Sequence, residues 1–65
     1  MKYRVEYAIS HMGGPGGWEF YGNFATRPEA ERVAHYLRRQ FGRATRTRIL
    51  PAPDSVPTIA VPEDA

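Results

Sequence analysis

The sequence predicts an α+β domain built strand–strand–helix–strand. Three observations carry this: two stretches of alternating apolar residues, one stretch of helical spacing opened by helix-start chemistry, and a third alternating stretch after it. A right-handed crossover from the second strand brings the third in beside the first. The expected architecture is a single small ββαβ domain, a three-stranded antiparallel sheet of order 2-1-3 with one helix on one face.

The first strand is Lys2 to Ile9, with Tyr3, Val5, Tyr7 and Ile9 on one face and Lys2, Arg4 and Glu6 on the other. Ser10 to Gly17 (SHMGGPGG) holds four glycines and a proline, which suits a hairpin connection and not regular structure. The second strand runs from Trp18 to Phe24. Strict alternation puts Trp18, Phe20 and Phe24 on the core face and Glu19, Tyr21 and Asn23 on the other.

The helix opens with Thr26-Arg27-Pro28-Glu29, a capping box in which the Thr26 hydroxyl meets the Glu29 amide and the Glu29 carboxylate reaches back. Pro28 sits in the first turn, where its missing N–H is not needed. Ala30, Val33, Ala34, Leu37 and Phe41 form one stripe, and Gly42 is expected to close the helix in the left-handed conformation. In the third strand, Arg43 to Leu50, Thr45, Thr47 and Ile49 alternate against Arg46 and Arg48, and Pro51 ends it. The expected core is Tyr3, Val5, Tyr7, Ile9, Trp18, Phe20, Phe24, Val33, Leu37, Phe41 and Ile49. A single helix leaves the other sheet face bare, showing Lys2, Arg4, Glu6, Glu19, Tyr21, Arg46 and Arg48.

At 65 residues the chain holds one domain, near the lower end of what folds unaided. It has no cysteine, so disulfides and thiolate metal sites are excluded, and two histidines alone do not complete a structural zinc site. No cofactor is expected. No apolar run approaches the roughly 20 residues that span a bilayer. Charges at Lys2, Arg4 and Glu6 interrupt the start of the chain where a signal peptide would be apolar, so a cytoplasmic protein without a membrane partner is expected.

The net charge of +2 hides an asymmetry. All nine basic residues lie in positions 1–50 against four acids, whereas 51–65 carries three acids, no base and four prolines. Residues 1–50 are therefore expected to form the domain and 51–65 a flexible, extended acidic tail. Val56, Ile59 and Val61 are the tail residues able to dock on an apolar strip.

No motif points to catalysis or to a small-molecule substrate. Gly13-Gly14-Pro15-Gly16-Gly17 leads into a strand, and not into the helix N-terminus that a phosphate-cradling loop needs. Ser10 and His11 are neighbours in an extended chain, so their side chains point apart. His35 lies on the polar side of the helix, four residues after Glu31, an ordinary surface pair. The expected protein is not an enzyme.

The bare face is the more informative feature. Arg4, Arg46 and Arg48 with Tyr21 would form an electropositive surface with a stacking platform, as sheet-based RNA binders have. The leading expectation is a small accessory protein contacting nucleic acid through those four residues. The alternative is a homodimeric protein-interaction module, two copies meeting through a sheet edge or through the bare face, the sticky edge being the second strand, which carries Trp18, Phe20, Tyr21 and Phe24 with a single charge. The segment Trp18-Glu-Phe-Tyr-Gly-Asn-Phe-Ala-Thr-Arg-Pro-Glu-Ala somewhat resembles the strand-to-helix junction of AP2-type and phage-integrase arm-binding DNA domains. Those domains have three strands before the helix where this chain has two, and no residue role is carried over from them.

Overall fold

The computed structural model describes residues 1–9 and 17–65. The chain forms β1 (Lys2–Ile9), β2 (Glu19–Phe24), α1 (Arg27–Phe41) and β3 (Thr45–Ala52). β1 is central and antiparallel to both neighbours, in the order β2-β1-β3, and α1 covers one face of the sheet. This is the α+β architecture the alternation and the crossover predict.

Local chemistry sets both ends of α1. Thr26 stays extended at φ −128° and ψ 156°, its hydroxyl accepts from the Glu29 amide, and its own amide donates to Glu29 Oε1 at 3.1 Å. At the other end Gly42 takes φ +94° and ψ −176°, a region a side chain would strain but not the expected left-handed helical one, and donates to the Arg38 carbonyl at 3.0 Å. Arg38 Nη1 also donates to Thr47 Oγ1 at 2.5 Å, tying the last turn to β3.

The core is Val5, Phe24, Ala30, Val33 and Leu37, ringed by Tyr3, Tyr7, Tyr21, Tyr36, Ile49 and Val61. Phe41 is an edge residue, 44% exposed, stacked on Tyr7 with ring centroids 5.5 Å apart. Its position at the end of α1 leaves one side of the ring in solvent.

Two strands depart from the expected alternation or bounds. In β2, Gly22 lies opposite Val5 but Phe20 lies opposite Glu6, so Tyr21 is an extra residue in a β-bulge. One inserted residue reverses every face before it. Phe24 faces the core as expected, whereas Phe20 and Trp18 turn to the open face and Tyr21 and Glu19 to the helix side. β3 does not stop before Pro51 but continues to Ala52, with Pro51 opposite Tyr3. β3 is an edge strand, where the missing N–H of proline breaks no ladder.

Residues after Ala52 lie against the domain and do not stand apart from it. The chain turns at Pro53–Val56, where Lys2 Nζ donates to the Val56 carbonyl at 2.6 Å. It then meets the outer edge of β2, the Ile59 amide donating to the Asn23 carbonyl at 3.1 Å. A Cβ at position 22 would collide with the Ile59 side chain, so glycine there is what seats it. Val61 packs on the core, and Arg32 and Arg39 of α1 donate to the carbonyls of Ala65 and Asp64 at 3.2 and 3.0 Å. The prolines explain this course. An extended segment without internal hydrogen bonds can lie as a strap across β2 and α1, its apolar side chains inward.

Candidate functional site

The site is built from the even-numbered positions of β1 and β3, which point away from α1. Glu6 and Arg48 are directly opposite each other across the β1–β3 pair, and Arg4 is two residues from Glu6 on the same strand face. The Glu6 carboxylate uses both oxygens: Oε1 accepts from Arg48 Nε at 2.7 Å and Nη2 at 2.6 Å, and Oε2 accepts from Arg4 Nε at 2.5 Å. Glu6 is 7% exposed, while the two arginine side chains keep 43% and 42% of their surface in solvent. The Arg48 hydrogen bond, joined by that of Arg4, outweighs desolvation and holds the Glu6 carboxyl below its ordinary range.

The bulge supplies the rest of the site. The Arg4 guanidinium lies over the Phe20 ring, 4.5 Å from its centroid. Trp18 receives two, Arg48 at 4.1 Å and Arg46 at 5.6 Å from the ring centroid. Arg4 and Arg48 thus each sit between the Glu6 carboxylate and an aromatic ring. Cation–π contacts of this kind contribute about 0.5–1 kcal/mol each at exposed positions. Arg46 has no acidic partner among the described residues.

Of the four residues expected here, the structure brings Arg4, Arg46 and Arg48 together and moves Tyr21 away. Tyr21 stacks on Phe24, centroids 6.3 Å apart, and packs against the core. Burial, with Tyr36 and Tyr7 near it, pushes its phenol above the ordinary value of 10.0. The aromatic rings on the open face are instead those of Trp18 and Phe20, and the signal that could have shown this was Gly22, a glycine inside a strand pattern. Glu19 also leaves the face, so Glu6 is its single carboxylate among the described residues.

Ser10, His11 and Gly13–Gly16 lie outside the described residues. His35 is exposed in a shallow depression with Pro28, Arg32 and Arg39, and Glu31 is paired with Arg27 at 3.2 Å, the other i,i+4 neighbour on its helix. Among the described residues no three metal-ligating side chains cluster, and no helix is long and apolar enough to cross a membrane.

The Glu6 cluster has a consequence for pH. A carboxylate whose folded pKa is depressed contributes stability above its unfolded pKa and loses it as pH falls through the folded value. The contribution of Glu6 is therefore complete above its ordinary value of 4.5 and is lost progressively below it. With both arginines half-exposed, solvent screening limits it to about 1 kcal/mol. Urea unfolding from about pH 7 to about pH 3 should show native protein more stable than Glu6→Gln at neutral pH and the difference closing in acid. An unchanged difference would remove the cluster from the stability of the domain.

Comparison of the chain with protein-family models, with curated proteins and with solved structures finds no match to any of them.

Proposed function

We propose that the protein is a non-catalytic accessory protein of the cytoplasm that binds nucleic acid through the open face of its sheet. The supporting observation is the gathering of Arg4, Arg46 and Arg48 with Trp18 and Phe20 on one uncovered face whose only described carboxylate is already engaged. Arg4 gives one N–H to Glu6 and Arg48 two, so both keep donors for phosphate oxygens, and Arg46 keeps all five. Replacing Arg46 and Arg48 by glutamine should weaken oligonucleotide binding across all sequences and flatten the salt dependence, each lost phosphate contact removing about 0.7–0.9 from the slope. Circular dichroism checks that the variant is folded. Absence of binding by the native protein at micromolar concentration and low salt would end this reading.

A homodimeric interaction module is favoured by one observation: Phe20 is 51% exposed beside Trp18, and exposed aromatics with arginine are typical anchors of protein interfaces. On the β2 edge itself the strap covers the Asn23 end, leaving the Glu19–Tyr21 end for any pairing between copies. A sedimentation mass of two chains that does not change with salt would favour this module over nucleic acid.

A further inference from the structure

Resting on the nucleic-acid reading, we infer that the ligand is a single strand, held by stacking of unpaired bases on Trp18 and Phe20 and bound without regard to base identity. Charge and geometry both lead there. Arg4, Arg46 and Arg48 against Glu6 give the part of the face around the two rings a surplus of two positive charges, Lys2 lying at the far end of β1 with its ammonium on the Val56 carbonyl. Proteins that hold a duplex by its phosphates make roughly 6–10 such contacts, and at about 0.7 per phosphate two contacts to a single strand give a salt slope of only about −1.4. Electrostatics of that size attracts a polyanion but does not hold it, so the rings must supply most of the affinity.

The rings are suited to it. Trp18 and Phe20 are two positions apart on one face, a separation of about 7 Å along a strand. That is twice the roughly 3.4 Å step between neighbouring bases of one strand, so bases on both rings must part from each other. A paired, stacked duplex cannot do this without melting, whereas a single strand can at little cost. A guanidinium already lies over each ring, Arg48 at 4.1 Å and Arg46 at 5.6 Å on Trp18 and Arg4 at 4.5 Å on Phe20, and Phe20, 51% exposed, still has ring surface to give a base. Glu6 fixes both guanidiniums through contacts of 2.5–2.7 Å, so the platforms are set before the ligand arrives. A ring reads only the π-face that every base has, which makes the binding tolerant of sequence.

Trp18 is the only tryptophan in the chain, so its emission reports on this site directly. The probes are a labelled oligothymidylate, a mixed-sequence single strand of equal length, and the duplex of that mixed sequence. Expected are quenching of Trp18 by both single strands, similar affinities for the two, and much weaker binding of the duplex. Phe20→Leu, which keeps apolar bulk but loses the π-face, should bind about tenfold more weakly while still unfolding cooperatively, its melting temperature lowered by no more than about 8 °C through loss of the Arg4 contact. Duplex binding equal to single-strand binding, an unquenched Trp18 in the complex, or full affinity in Phe20→Leu would overturn the stacked single strand while leaving nucleic-acid binding through the arginines in place. Failure of every probe to bind would remove both, and salt-independent dimerisation seen with it would assign the face to a second copy.

Discussion

Replacing Phe24 by alanine is expected to leave little folded protein near room temperature, whereas the same substitution at Phe20 is expected to cost under about 1 kcal/mol. Phe24 is completely buried, among the largest fully buried side chains of the domain, and packs with Val5, Val33 and Leu37. Truncating a buried phenylalanine costs about 3–5 kcal/mol. A domain of this length has only about 3–10 kcal/mol in total. Phe20 lies four positions earlier in the same strand but on the other face, half in solvent. Urea unfolding of the two variants therefore tests the bulge itself. Equal losses would mean that both rings face the core and that β2 alternates without interruption.

Ending the chain after Val56 should lower the melting temperature by about 10 °C, the shift that about 2 kcal/mol gives in a domain of this size. The deletion removes Val61 from the core margin and Ile59 from its seat over Gly22, together with the Ile59–Asn23 backbone hydrogen bond. Each apolar side chain contributes on the order of 1–1.5 kcal/mol when half-buried. Pro57 and Pro62 reduce the entropy lost on ordering the strap, so much of that gain survives. Hydrogen exchange on the full chain gives a second measure, with the Ile59 amide expected to be protected. An unchanged melting temperature together with an unprotected Ile59 would make the segment a passenger.

The architecture was legible where chemistry is local. Thr26, Glu29 and Gly42 announce the ends of α1, and the Tyr3–Val5–Tyr7 alternation announces β1 and its inner face. Arg4, Arg46 and Arg48 could be grouped because β1 and β3 pair in unbroken register. The aromatic half of the site was not legible, since alternation read from Phe24 backwards assumes a period of two that Tyr21 interrupts. The course of the tail was hidden for a different reason. Four prolines speak against helix and central strand but say nothing about where an extended segment lies, and that depends on the vacancy Gly22 leaves beside Phe24.

The place of β1 at the centre of the sheet governs the order in which the chain can fold. β1 emerges before both of its partners, one of which is made only after the helix, and Lys2 meets Val56 across 54 positions of sequence. Pairings so distant in sequence are slow to form, because a long loop must close before any contact rewards it. On the ribosome, β1 keeps one edge unpaired until β3 emerges, and β2 keeps its outer edge bare until Ile59 does. The nascent domain is thus most exposed to aggregation in the interval before β3 and Ile59 have emerged.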